Sequence, residues 1–178
     1  MDNIFTNNSE RLSSFNWNQL GDIKNGRGNL GEEMPVIVYR LMQYTIIDVL
    51  HKKLGKEEGN HVIRDAGYLA GTEFTKNVLD ISVGFDEFIS RLQETLKVLK
   101  IGILRIESLD TATGEMVLTV GEDLDCSGLP VMNETVCIYD EGFLAGILEA
   151  YTGKKHIFRE VDCWSTGDRV CRFKGNPI

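Results

Sequence analysis

The stretch of sequence that decides the fold is residues 136–173, which read VCIYDEGFLAGILEAYTGKKHIFREVDCWSTGDRVCRF. Its first part is apolar and predicts a helix that Asp140 caps and that Gly153 ends. Gly142 and Gly146 are four residues apart and therefore share one face of this helix. A face without side chains lets another helix or a sheet come close to the helix backbone.

The second part of the stretch predicts a β-hairpin, because residues 155–164 and 169–174 flank the turn sequence Ser-Thr-Gly-Asp. If the turn centres on Gly167, Cys163 and Cys171 lie directly opposite each other. Cross-strand β-carbons are about 4.5–5.5 Å apart, and two thiolates at that separation can share one tetrahedral zinc ion. A disulfide is the alternative, which a reducing compartment disfavours.

Further metal donors must come from outside the two opposed cysteines. Cys137 lies at the start of the predicted helix, where the helix dipole lowers the pKa of a thiol. Glu160 precedes Cys163 by three residues, and on a regular strand two such residues point to opposite faces. Joint binding would therefore require a bulge between them. Spacing alone leaves two alternatives open, a zinc site and a group of reduced core cysteines.

Composition and charge restrict the class of protein. The chain has 178 residues, of which 42% are hydrophobic and 26% are charged, and this is typical of one globular domain. Its net charge of −8 argues against nucleic acid as a partner, because phosphate binding needs a basic face. The sequence has no segment typical of a signal peptide or a transmembrane helix, so we expect a cytoplasmic protein. Four cysteines in a reducing compartment favour metal or redox chemistry.

The rest of the chain predicts an N-terminal arm and loop at residues 1–30 and a single domain at residues 31–178. The predicted helices cover residues 36–53, 57–77 and 85–100, and the predicted strands cover residues 102–109 and 115–121. The first helix is apolar almost all round, which indicates a position in the core or at a dimer interface. A wall of a ligand pocket is the functional alternative.

Three spaced motifs carry a resemblance to a known family. They are C-x-Y-x-x-G-F-L-x-G at residues 137–146, G-K at 153–154, and E-x-x-C-x(7)-C-x-F at 160–173. Together they resemble the C-terminal half of the 4-vinyl reductase domain family. That family includes the sensor domains of phenol- and toluene-responsive bacterial regulators and a protein of bacteriochlorophyll synthesis.

The resemblance implies a metal site and a fold. In the aromatic sensors one Glu and three Cys at this spacing hold a structural zinc, which here implies Cys137, Glu160, Cys163 and Cys171 as zinc ligands. Cys126 is not part of that set. The implied fold is α+β, an antiparallel sheet flanked by helices, similar to nitric oxide sensors and transport-particle subunits. The resemblance also implies a homodimer formed through helices.

The resemblance further suggests a pocket for a hydrophobic or aromatic ligand. Its candidate lining residues, for each of which core packing is the alternative, are Tyr39, Phe74, Phe88, Met116, Phe158 and Trp164. Because the chain shows no catalytic constellation and no nucleotide-binding loop, we expect a stand-alone small-molecule sensor or carrier with a structural zinc. The alternatives are an enzyme, or enzyme subunit, that acts on a tetrapyrrole vinyl group, and a structural dimerisation partner.

Overall fold

The computed structural model describes residues 15–178, which divide into two units between Glu32 and Glu33. The described part of the first unit contains a 3₁₀ turn, Trp17–Leu20, and a single-turn helix α1, Ile23–Gly26. Residues 1–14 of the predicted arm lie outside the described residues. The boundary predicted between arm and domain stays a prediction.

The second unit combines four long helices with a four-stranded sheet. Its elements in chain order are α2 (Val36–Leu54), α3 (Lys56–Val78), α4 (Phe85–Val98), β1 (Ile103–Leu109), β2 (Met116–Gly121), α5 (Ile138–Thr152), β3 (His156–Asp162) and β4 (Val170–Pro177). The strand order is β1-β2-β4-β3, and every neighbouring pair is antiparallel. The predicted α+β class with an antiparallel sheet is therefore confirmed.

α5 is the buried centre of this unit. Its apolar side chains fill the core between α3 and β3, and the buried ones are Phe143, Leu144, Ala145, Ile147 and Leu148. Gly153 ends the helix in a left-handed conformation with φ of +70°, as predicted. The predicted cap was wrong, because the helix begins at Ile138 with Cys137 as its N-cap and Asp140 lies inside the first turn.

The contact between α5 and α3 depends on glycine. A β-carbon added to Gly142 would collide with the backbone carbonyl oxygen of Arg64, and Gly146 meets the α3 backbone in the same way. On α3, Gly67 and Gly71 face the backbone of α5 equally closely. The close approach predicted for the two α5 glycines is therefore a helix–helix contact.

α2 differs from α5, because none of its residues is buried. Ile37 is 73% exposed and Leu41 is 66% exposed, although both belong to a helix with few polar residues. The predicted core position of this helix was wrong. α2 packs on α3 on one side only, and its remaining apolar surface faces outward.

The hairpin of β3 and β4 has the predicted register near its turn. Asp162 pairs with Arg172, and a register shift between Glu160 and Asp162 marks a β-bulge. Continued by one residue, the register at Asp162 places Cys163 opposite Cys171. The two strands are joined through a 3₁₀ turn, Trp164–Thr166, that ends at a glycine with φ of +102°.

In the part of the chain that the structure describes, no helix has both the length and the apolar composition needed to cross a membrane.

Candidate metal centre and apolar groove

Four separate elements bring the four cysteines together in the interior. Cys126 lies in the irregular link after β2, Cys137 is the N-cap of α5, Cys163 follows β3, and Cys171 lies in β4. All four are free thiols and at most 1% exposed. Their sulfur atoms lie within 4.8 Å of one another.

The distances between the sulfur atoms match a tetrahedral metal site. The Sγ of Cys171 is 3.1 Å from that of Cys126 and 3.7 Å from that of Cys137, and the Sγ atoms of Cys137 and Cys163 are 3.9 Å apart. A zinc ion with Zn–S bonds of about 2.3 Å holds its sulfurs about 3.8 Å apart in a tetrahedron. Four buried cysteines in this arrangement can bind a metal ion.

Local backbone structure supports a thiolate at Cys163. The side chain of Cys163 accepts a hydrogen bond from the backbone of the 3₁₀ turn that follows it. Contacts among the sulfurs, led by the one with Cys126, lower the pKa of the Cys163 thiol and raise that of Cys137. One thiol of the group thus loses its proton easily, which is the first requirement of a metal ligand.

Glu160 lies beside the sulfur cluster but is occupied by the backbone. Its Oε2 accepts a hydrogen bond of 2.9 Å from the backbone N–H of Cys137, whereas its Oε1 is buried without a hydrogen-bond partner. Burial, followed by the charge of Cys163, raises the pKa of Glu160 to about 8. The bulge after Glu160 turns its side chain to the same buried face as Cys163, as joint binding requires.

Further carboxylates surround the cysteines. Asp123 is 3% exposed and lies near the sulfur of Cys137, and these two residues form a second possible metal-binding group with Asp140. Burial, and then repulsion from Asp125, raises the pKa of Asp140 well above its ordinary value. Oxygen atoms of Asp125 and Asp140 are buried without hydrogen-bond partners. Burying so many acidic groups is costly unless a cation balances them, and a divalent metal ion fits this requirement.

An apolar groove runs between α2 and α3, apart from the cysteines. Its volume is about 480 Å³, within the range of about 300–1,000 Å³ that is common for small-molecule sites. Its lining consists of Tyr39, Met42, Gln43, Ile46, Ile47, Leu50, Val62, Ile63, Ala66 and Tyr139. The groove exists because α2 covers α3 without a further layer above it.

The structure does not bring the six predicted ligand-binding residues together. Tyr39 lines the groove between α2 and α3. Four others are buried in the core, and these are Phe74, Phe88, Met116 and Phe158. Trp164 lies in the hairpin turn, where the guanidinium of Arg169 sits 5.0 Å from its ring centroid. Sequence reasoning did not identify the other groove residues, because nothing in the sequence shows that α2 is exposed.

The link that carries Cys126 also attaches α2 to the domain. The Tyr39 hydroxyl donates a hydrogen bond of 2.8 Å to Asp125, and the Tyr44 hydroxyl donates one of 3.0 Å to the carbonyl of the same residue. Arg40 Nε donates one of 2.7 Å to the carbonyl of Leu124. The sulfur cluster and the groove wall are therefore connected through one short segment.

Comparison with known proteins defines the class of this domain. Residues 116–177, from the start of β2 to the end of β4, match the family model of the 4-vinyl reductase domain. This match confirms the resemblance to the 4-vinyl reductase domain family that the three motifs carry. Among curated relatives, the uncharacterized protein MJ1642 of Methanocaldococcus jannaschii is 29% identical over 145 residues, covering 82% of this chain and 79% of that protein.

Solved structures show the same fold at low sequence identity. The phenol-responsive sensory domain of the transcription activator PoxR, with phenol, has a TM-score of 0.60 at 17% identity over 83% of this chain and 78% of that chain. A vinyl-4-reductase family protein of M. jannaschii has a TM-score of 0.57 at 17% identity over 84% and 85%. A trafficking protein particle complex subunit 3 of Naegleria fowleri, covalently bound to palmitic acid, has 0.58 at 14% over 81% and 97%.

An H-NOX protein of S. oneidensis is a more distant neighbour, with a TM-score of 0.50 at 15% identity over 76% of this chain and 74% of that chain. The predicted likeness to nitric oxide sensors and transport-particle subunits is thus confirmed as a likeness of fold.

Proposed function

We propose that this protein binds a small hydrophobic molecule in the groove between α2 and α3, as a sensor or carrier, and that a structural zinc ion holds the base of the domain together. The observation that carries the proposal is the groove itself. One of its walls is a helix whose apolar side chains have no cover within the described chain. Covering such a surface with a ligand removes apolar area from water.

The polar groups of the groove narrow the class of ligand. Gln43 lines the groove, and its Oε1 is buried without a hydrogen-bond partner among the described residues. A ligand with one hydroxyl or other hydrogen-bond donor would satisfy this oxygen while its apolar part contacts Met42, Ile46 and Leu50. Two of the structural neighbours hold phenol and palmitic acid, and both compounds combine an apolar body with one polar end.

The proposed zinc has a structural role. Cys137, Cys163 and Cys171 belong to both the predicted ligand set and the sulfur cluster, and Glu160 is the fourth ligand that the resemblance implies. A closed site with four protein ligands joins the start of α5 to the β3–β4 hairpin and leaves no position for a reactive water. Thiol ligands of this kind require a reducing compartment, so we place the protein in the cytoplasm.

The proposal also includes a homodimer. Ile37, Val38, Leu41 and Val49 are 48–73% exposed and do not line the groove, so α2 carries a second apolar face. Because the resemblance implies dimerisation through helices, a second copy of this chain is the occupant that we assign to this face. Sedimentation velocity should then show a dimer that Leu41→Arg converts to a monomer. Glu94→Arg on exposed α4 surface is the control that should stay dimeric, and a wild-type monomer would refute the homodimer.

Native mass spectrometry of protein purified from its own host tests ligand binding. We expect a co-purifying hydrophobic molecule that denaturation releases. Ala66→Trp places an indole in the groove and should abolish the adduct, whereas Leu69→Trp, on the same helix outside the groove, should retain it. An adduct that survives Ala66→Trp would contradict the groove as its site. Turnover of a co-purified tetrapyrrole by added reductant would instead support the enzyme alternative.

A further inference from the structure

The geometry points to Cys126 as the fourth zinc ligand and to Glu160 as a residue that positions Cys137 without binding the metal. The inference rests on the zinc site of the proposed function and changes its composition from three sulfurs and one oxygen to four sulfurs. It departs from the ligand set that the family resemblance implies.

The first reason is distance. The sulfur of Cys126 lies within 4.8 Å of the other three sulfurs and 3.1 Å from that of Cys171. Among residues 15–178, the donor atoms that are mutually this close around Cys171 are the four sulfurs, and no oxygen of Glu160 belongs to the set. Four sulfurs already complete a tetrahedral site, so Glu160 is not needed as a ligand.

The second reason is that Glu160 already has a defined partner. Its Oε2 accepts the backbone N–H of Cys137 at 2.9 Å, at the first turn of α5, where N–H groups lack partners within the helix. This hydrogen bond fixes the backbone from which the Cys137 thiolate extends. Carboxylates that hold a metal ligand in place through a hydrogen bond are common around zinc.

The third reason is that the backbone around Cys126 is held in place. Asp123 Oδ1 accepts hydrogen bonds from the N–H groups of Asp125, at 2.8 Å, and Cys126, at 3.2 Å. The N–H of Leu124 donates to the carbonyl of Ile101 at 2.9 Å. Zinc also favours thiolate ligands over carboxylate, because thiolates are softer donors. A fixed turn that presents a buried thiol to three others is a formed ligand position.

A consequence follows for the groove. Asp125 and Leu124 accept the hydrogen bonds of Tyr39 and Arg40, and both neighbour Cys126 in the link. A metal bond to Cys126 would therefore fix the segment to which the wall of the groove is attached. Glu160 as fourth ligand would leave this segment unattached to the metal.

X-ray absorption spectroscopy at the zinc edge of the full-length protein, with zinc quantified in the same sample, tests the inference without a substitution. We expect one zinc per chain and a single shell of four sulfurs at about 2.3 Å. Three sulfurs and one oxygen at about 2.0–2.2 Å would overturn the role of Cys126 and leave the proposed zinc site standing. Freshly purified protein without stoichiometric zinc would overturn both.

Two variants provide the matched comparison. Glu160→Gln keeps a carbonyl oxygen that can accept the Cys137 N–H, and it should retain one zinc per chain and the four-sulfur shell. Cys126→Ser should lower the shell to three sulfurs. The inference is wrong if Glu160→Gln removes an oxygen neighbour from the zinc, or if Cys126→Ser leaves the sulfur count of the wild type unchanged.

Discussion

α5 and α2 have similar sequences and opposite environments. Both are apolar on almost every side, yet α5 has eight buried residues and α2 has none. The difference arises from what surrounds them. α5 has α3 on one side and the sheet on the other, whereas α2 has α3 on one side and no element of the described chain on the other.

This difference shows that an apolar helix is not necessarily a core helix. The glycines of α5 allow its backbone to contact α3, which removes one side of it from water. α2 has no glycine between Val36 and Leu54 and keeps its side chains as spacers, so a groove remains beside it. The surface that stabilises the fold in one helix is available for binding in the other.

The comparison is tested most strongly by the same substitution in both helices. Ile147 on α5 is fully buried and Ile46 on α2 is 51% exposed. Ile147→Ala should lower the free energy of unfolding by about 4 kcal/mol, because it leaves a cavity. Ile46→Ala should lower it by less than about 1 kcal/mol. Urea denaturation measures both, and equal losses would show that α2 is buried in solution.

The second prediction concerns the buried charge at the start of α5. Glu141 is 3% exposed and accepts hydrogen bonds from Arg64, at 2.8 Å, and from the N–H of Glu160, at 2.9 Å. Glu141→Ala leaves these donors without their partner and should lower the free energy of unfolding by about 3 kcal/mol. Glu33→Ala, which removes the exposed ion pair with Lys100, is the control and should cost less than about 0.5 kcal/mol. Similar values for the two variants would contradict the assigned burial.

The third prediction concerns the glycine contact. The β-carbon of Gly142→Ala would collide with the backbone of α3, so the two helices must separate. We expect a loss of about 2 kcal/mol in the free energy of unfolding, despite the better helix propensity of alanine. The matched control is Gly26→Ala, whose added methyl group meets no atom within 4 Å. Gly142→Ala with wild-type stability would refute the backbone contact.

The smallest expected effect is at the attachment of α2. Tyr39→Phe removes the hydrogen bond to Asp125 and should cost about 1 kcal/mol. Tyr139→Phe removes a hydroxyl that also belongs to the groove lining, but the hydrogen bonds of the described residues do not include it, so it should cost less. Thermal denaturation of both variants under the same conditions checks the order. A larger loss for Tyr139→Phe would show that this attachment has been misassigned.

Much of the fold could be predicted from local sequence. The turn sequence around Gly167 placed Cys163 opposite Cys171, and the glycine pair on α5 indicated a close backbone contact. Both features depend on residues near one another in the chain. The start of α5 was predicted at Asp140 because aspartate is a common N-cap, but Cys137 takes that position.

The role of Cys126 could not be predicted, because it depends on a contact between distant strands. Val120 pairs with Cys171, so the link after β2 begins beside the hairpin cysteines. Nothing local in the sequence indicates that β2 and β4 are neighbours. The count of four cysteines was the only available signal. The exposure of α2 was equally hidden, because it depends on which elements are absent from one of its sides.

The central claim is that the exposed apolar wall of α2 forms a ligand site. Methyl NMR spectra of the full-length protein, titrated separately with phenol and with palmitic acid, test this most directly. We predict that at least one compound shifts the methyl signals of Met42 and Ile46 in the groove and leaves that of Ile147 on α5 unchanged. If neither compound shifts the groove signals, or if the shifts concentrate on Ile147, the proposed site is wrong.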